Sequence, residues 1–480
     1  MPWRSAPRNA PEPATDGASD MAPTPGTVES EPLASSSSDN DKPRTHKEPL
    51  DQTGRPLPSS GPGADQESSR VRLPNGGLRA WLVVLGAFIN FAIALGLLNS
   101  YGIFQVRYEK KWPHESTATI TWIGKSKSDA LSTAKLFIFF VGGLFVGPAF
   151  DRYGSRPLMK LGTACCVASF LFTSWATQFW HYLLAQGFLF GTSNALMFYP
   201  VTGAISEWFD ENRGLALGIA AGGSSVGAIV WSLVLDKLFE VMSEELVHRL
   251  IAIITTPLLL LSCFLVRERR EVATDDTSAR LSPLDFLKAI LDRRFLVLSA
   301  GLMILYCGML IPFYYISAYA ATHDIGRSMA SSLISITYAG SCLGRIGSGW
   351  LADRIGRFNV ISLTGTLMSV VMFAWIWMTS LGAMIVFGIL FGLLSGGLVP
   401  LGSACVAQTT PDMGHIGLRI GIMMAISSVG ALSGGPLSGL LKGDSSWESV
   451  HCFAAGVALV GALLLFSVRI WHRPYVLAKF

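Results

Sequence analysis

Residues 341–357 read Ser-Cys-Leu-Gly-Arg-Ile-Gly-Ser-Gly-Trp-Leu-Ala-Asp-Arg-Ile-Gly-Arg, and this stretch decides the fold. It sets a fixed positive charge, Arg345, inside the apolar run Met329–Ala352. It then ends that run with Gly349-x-x-x-Asp353-Arg354-x-Gly356-Arg357. The same ending stands earlier as Gly147-x-x-x-Asp151-Arg152-x-Gly154-x-Arg156. Each copy closes the second apolar run of a group of six, which implies a duplicated membrane protein.

Working outward, Asn75-Gly-Gly-Leu-Arg-Ala-Trp81 opens the first apolar run, which reaches about Phe104. Runs at about Leu136–Phe150, Leu158–Thr177, Tyr182–Ile205, Gly214–Leu235 and Leu250–Val266 complete the first six. After the polar segment Arg267–Arg294 come Phe295–Ala320, Met329–Ala352, Val360–Thr379, Gly382–Ala407, Ile420–Leu441 and Cys452–Arg469. A hydrocarbon core of ~30 Å takes about 20 helical residues, which most of these runs supply. The fold class expected is therefore all-α, with twelve transmembrane helices in two six-helix halves. The halves are 75–266 and 295–471, joined by a cytosolic loop 267–294 and flanked by a disordered cytosolic tail 1–74 and a C-terminal tail 472–480. The tail 1–74 is rich in Pro, Ser, Gly, Asp and Glu and cannot build a core. No apolar signal segment follows Met1, so insertion is expected to begin with the first helix.

The second run is short. Lys125 to Lys135 interrupts it with polar residues, so part of that insert is expected to be helical above the membrane or shielded by neighbours.

Composition agrees. Half of the 480 residues are hydrophobic, only 15% are charged, and the mean hydropathy is +0.43; a soluble domain sits near a quarter charged. The net charge of +4 is spread over loops and gives no nucleic-acid footprint. The seven cysteines all fall in apolar runs and read as small buried hydrophobes, not as a disulfide or metal framework. The Gly-rich runs 218–227 and 430–439 follow no strand and precede no phosphate-binding lysine, so they read as close helix packing. No cofactor is expected, and no nucleophile–base set points to an enzyme.

Lys and Arg gather on one side of the helices: Arg152, Arg156, Lys160, Arg213, Arg354, Arg357, Arg419 and the central segment among them. By the positive-inside rule that side, with both termini, is cytosolic. Asp151 and Asp353 then sit at cytosolic helix ends, where a carboxylate can bond the exposed N–H groups of a neighbouring helix start. Such a bond holds one conformation and breaks in another. Asp151, Arg152, Asp353, Arg354 and Arg213 are the candidate gating residues.

The twin endings resemble the loop signature of the major facilitator superfamily. Within it the chain resembles the monocarboxylate transporter family, in its fungal branch. That resemblance rests on Asn75–Trp81, on Gly143–Gly154, on Trp208-Phe-Asp-Glu-Asn-Arg-Gly-Leu-Ala-Leu-Gly-Ile-Ala220 and on Arg419-Ile-Gly421. It implies a secondary or facilitated transporter of a small organic anion or carboxylate-bearing metabolite, working by alternating access, in symport or in efflux. The alternative is a receptor that kept the fold and no longer transports. A plasma-membrane location is expected, with a vacuolar or other internal membrane as the alternative, and a monomer as the working unit. Small-molecule substrate, lipid bilayer and a candidate proton are the expected partners.

The departures limit the analogy. The resemblance implies an acidic residue where Asn75 stands, a basic pair of which only Arg213 remains, a first-helix lysine where Asn99 stands, and an aspartate where Ser341 stands. Of the charged trio that this lysine and aspartate form with the eighth-helix arginine, Arg345 alone is kept. It lies eight residues before Asp353, hence roughly 12 Å inside the helix end and near midplane. Its insertion costs about 2.5–3.5 kcal/mol. It is read as a cation facing the cavity, ready for a carboxylate in fork-to-fork geometry; the competing reading is structural glue bonded to carbonyls. Asn99, Asn194, Tyr314 and Tyr315 complete the candidate substrate set, with Asn90, Gln186 and Tyr306 as further polar positions.

Overall fold

A computed structural model describes residues 76–111, 127–269, 292–323, 325–410, 413–442 and 446–472. Residues 72–480 group as one compact unit. The tail 1–74, most of the loop 267–294 and all but the start of the tail 472–480 lie outside the described residues, as does Asn75.

The regular elements among the described residues are all helices. The first six helices are α1 (Leu78–Asn99, resuming after Ser100 as Tyr101–Lys111), α2 (Lys127–Val141, then Gly143–Tyr153), α3 (Ser155–Ser174), α4 (Phe179–Tyr182, a π segment Leu183–Leu189, then Phe190–Trp208), α5 (Arg213–Val241) and α6 (Glu244–Leu265). The second six are α7 (Arg293–Ala321), α8 (Arg327–Ile355), α9 (Arg357–Ala374), α10 (Leu381–Gly396 and Leu398–Thr409), α11 (Ile416–Lys442) and α12 (Trp447–His472). Ten of these are long and apolar enough to cross a membrane by length and composition. The other two are α4, interrupted by its π segment, and α8, which carries Arg345, Asp353 and Arg354.

Helices are the form such a chain takes in lipid, because each backbone N–H finds its carbonyl within the segment. The polar side chains follow the same economy: Thr163 donates to Met159 O at 2.9 Å and Ser299 to Phe295 O at 2.8 Å. In the first six helices α1 packs on α5 and α6, and α3 on α4 and α6. In the second six α7 packs on α11 and α12, and α9 on α12. The duplication read from the twin endings is thus a duplication of packing.

The two sets meet along two seams, α5 with α8 and α2 with α11, which the repeat relates to each other. Glycine makes both possible by close approach. A methyl on Gly147 would collide with the Gly417 carbonyl, and one on Gly214 with the Gly349 carbonyl.

The second helix reaches back to Lys127, so the described part of the polar insert is helical, as expected. The structure adds what the sequence did not show: Lys135 is only 2% exposed. Arg345 is therefore not the only basic side chain set inside the helix bundle.

Candidate functional site

The twin endings form a matched pair of bonds between the two sets of helices. Gly154 and Gly356, at φ 77° and 99°, turn the chain sharply after α2 and α8. These turns leave Asp151 and Asp353 in the last turn of each helix, aimed across a seam. Asp151 accepts from the N–H groups of Gly417 and Leu418 at 2.8 and 2.7 Å. Asp353 accepts from those of Gly214 and Leu215 at 2.9 and 2.7 Å. Each carboxylate thus takes two first-turn donors of a helix start, where the helix dipole also favours negative charge. The receiving dipeptide is Gly-Leu both times. That repeat was a legible signal the sequence reading missed, since it noted Arg419-Ile-Gly421 beside it.

The neighbouring arginines divide. Arg152 and Arg354 are exposed and lie over the rings of Tyr153 and Trp350. Arg213 is buried and donates to Phe209 O at 2.9 Å and Ser206 O at 3.1 Å, with Asp210 Oδ1 at 3.6 Å. It staples the loop between α4 and α5. Arg357 reaches from α9 to the Asp210 carbonyl of that loop and lies 3.7 Å from Asp353. Arg419 plays Arg213's part in the second set, donating to Thr409 O at 3.1 Å and to Asp292 Oδ2 at 3.3 Å. Of the five expected gating residues, then, the two aspartates span the seams, Arg213 braces one of them, and Arg152 and Arg354 face outward.

Arg345 sits on the α5–α8 seam. Its Nη1 donates to Ala221 O of α5 at 3.2 Å and its Nε to Ser341 Oγ at 3.3 Å. Two of its five donors are so engaged among the described residues. Tyr306 of α7 and Tyr338 of α8 are its electrostatic neighbours. The Tyr306 hydroxyl is buried without a hydrogen-bond partner among the described residues. Tyr314, 46% exposed, is an electrostatic neighbour of Tyr338.

The other expected substrate residues lie elsewhere. Asn194 is fully buried among the first six helices, its Nδ2 donating to Phe190 O of its own helix at 2.8 Å. Asn99 is half-buried at the break in α1. Tyr315 donates to Gly435 O at 3.3 Å and packs edge-on against Trp447, which ties α7 to α11 and α12. Tyr306 and Tyr338, of which only Tyr306 stands among the positions read from the sequence, are the tyrosines that interact electrostatically with Arg345.

The model for the Major Facilitator Superfamily matches residues 78–382 and 299–477. This chain belongs to that superfamily. Among curated relatives, "MFS-type transporter pynF" of Aspergillus niger is 37% identical over 399 residues, covering 82% of this chain and 89% of the relative. "Agnestins efflux protein AgnL12" of Paecilomyces divaricatus is 30% identical over 402 residues, covering 84% and 90%. Among solved structures, the human organic anion transporter MFSD10 (TETRAN) aligns with a TM-score of 0.65 at 16% identity, covering 80% of this chain and 98% of that one; it shows the fold. The chain is a multi-pass membrane transporter of this superfamily.

Proposed function

We propose that the chain exports a small organic anion by alternating access, with Arg345 as the anion-binding group. One observation carries this reading: a guanidinium inside the helix bundle, on a seam between the two sets, with donors to spare and the unpartnered Tyr306 hydroxyl beside it. Its bond to Ala221 O holds the seam while no anion is present. A carboxylate, or an acidic enol or phenol of similar charge, would draw the remaining donors and the Tyr306 hydroxyl. The aspartate bonds supply the moving part. Both close one end of the bundle, and both join helix ends through few, breakable contacts, which favours transport over sensing. Export is taken from the efflux relative, and the organic-anion class from Arg345. The monocarboxylate branch, a plasma-membrane site, a cytosolic position for both termini and the closed end, and a monomeric unit complete the proposal.

Metabolite profiling inside and outside a deletion strain against its parent identifies the cargo. Transport of that cargo in vesicles then tests the site. Arg345→Ala should abolish transport with expression unchanged, since charge-assisted bonds worth about 1.5–3 kcal/mol each are lost. Arg345→Lys keeps the charge and loses the fork, and should remain impaired. Parental rate and affinity in Arg345→Ala would reduce Arg345 to helix glue.

A further inference from the structure

The sixth helix of each set begins with the same pattern, Ser243-Glu-Glu-Leu-Val-His248 and Ser446-Trp-Glu-Ser-Val-His451, which share Ser-x-Glu-x-Val-His. Both histidines are buried, at 0% and 1% exposure, at the end of the bundle remote from the aspartate bonds. Duplication supplies an internal control, because the two copies have diverged around a common position.

His451 shows what the fold requires there. It stacks on Trp375 at 4.0 Å between centroids and meets Tyr319 edge-on at 4.7 Å. Neither ring nitrogen has a hydrogen-bond partner among the described residues. A flat ring filling an aromatic box suffices.

His248 has the same kind of box, with Phe104, Phe170 and Phe239, and a hydrogen-bond string besides. Nδ1 lies 2.7 Å from Glu244 O, and a carbonyl only accepts, so Nδ1 carries the proton. Nε2 is then the acceptor, with Tyr108 Oη at 3.2 Å and Gln186 Nε2 at 3.1 Å. Ring packing continues from Tyr108 toward the bundle edge. Tyr182 packs edge-on against Tyr108 and donates to Glu244 Oε1 at 2.9 Å, and Glu244 is half-exposed in the first turn of α6. Packing alone explains none of this, since the second copy packs without it.

We propose that His248 is a proton-binding site of the transport cycle, loaded from the end remote from the aspartate bonds, where Glu244 and Tyr182 lie. The proposal rests on the transport reading above and deepens it by naming a counter-ion: a proton taken up as the anion leaves. On uptake, a proton from water adds to the lone pair of Nε2. Nε2 then becomes a donor. The Tyr108 hydroxyl oxygen then accepts from it, and the Gln186 amide turns its oxygen to accept the Tyr108 O–H that Nε2 has given up. The surrounding groups set the balance. From α1 come Arg107, whose guanidinium lies over Phe239 and donates to Phe239 O, and Tyr101 beside Tyr108; from α2 comes the Lys135 amine over the Tyr101 ring. From α3 comes apolar Phe170, from α4 Tyr182 and Gln186, from α5 Phe239, and from α6 itself Glu244, Glu245 and Arg249, the last held to Ser174. Arg107 and Arg249 oppose the added charge, and Glu244 stabilises it.

The test is a titration of the purified full chain labelled with 15N-histidine, followed by NMR from about pH 8 to pH 5. The signal lost in His248→Gln, or shifted in Tyr108→Phe should the first variant not fold, should begin as an Nδ1–H ring and reversibly gain a proton on Nε2. The signal lost in His451→Gln should not respond to Tyr108→Phe. In vesicles, His248→Gln should keep cargo exchange without a pH gradient and lose gradient-driven transport. A His248 ring that stays neutral while the protein remains folded to pH 5 overturns the proposal, as does loss of exchange and gradient-driven transport together. Should the parent move no organic anion at all, the transport reading fails, and the NMR titration still judges His248 by itself.

Discussion

Asp151→Asn tests the bonds across the α2–α11 seam most directly. The parent carboxylate holds two helix-start donors at 2.8 and 2.7 Å. An asparagine keeps one acceptor oxygen and turns an NH2 toward the other donor. One charge-assisted bond, worth about 1.5–3 kcal/mol, is lost, and the other falls to a neutral bond of about 0.5–1.5 kcal/mol. Adding the field of the helix start, the joined state loses roughly 3–5 kcal/mol relative to the open one. At about 1.4 kcal/mol per factor of ten, the open-to-closed ratio rises by about a hundredfold to a few thousandfold. Asp353→Asn should cost more, because it also strips Arg357, whose side chain is 8% exposed, of its carboxylate neighbour. Spin labels at Tyr153 and Ile355, both exposed near these helix ends, read the separation of α2 from α8 in a cysteine-depleted background. The singles should widen the distance distribution in the order Asp151→Asn, Asp353→Asn, and the double variant most of all. A double variant whose distribution superimposes on the parent's would refute the assignment of these carboxylates as the closing contacts.

Gly147→Val puts a branched side chain against the Gly417 carbonyl and should hold the same labels apart with both aspartates intact; an unchanged closed distance would show that glycine is not needed at the seam. Trp375→Ala removes a fully buried ring stacked on His451 and on Phe387, and should destabilise the second set by about 3–5 kcal/mol, read as a fall in Tm in detergent. Asp292→Asn should weaken the brace on Arg419, which Thr409 O still holds, and speed opening only modestly beside Asp151→Asn, as the spin-label distances can report.

The sequence by itself determined the class of the molecule, and for a local reason. A helix in lipid satisfies its own backbone, so a run of apolar residues of sufficient length is a statement about one segment and needs no partner. The glycines and aspartates of the twin endings were legible on the same ground, since a turn with positive φ and a carboxylate in a last helical turn are features within a few residues. The recurrence of the pattern carried the duplication. What each carboxylate bonds was open until distant chain segments were brought together. Asp151 meets Gly417 and Leu418 across 266 and 267 positions of chain. Spacing along one helix says nothing of which other helix start lies opposite. The same reason explains Tyr315, which reads as a cavity aromatic and is spent on Gly435, and Asn194, which bonds its own helix among the first six. It explains Lys135 too. A lysine in that polar stretch reads equally as standing above the membrane or as shielded by neighbours, and only the packing of α1 and α4 around α2 puts it 2% exposed over Tyr101. Arg345 was placed in depth by counting residues, because helical rise is fixed. Its partners, Ala221 on the facing helix and Tyr306 from α7, were decided by tertiary structure, because they come from helices whose neighbourhood the repeat of packing, and not the order of residues, lays down.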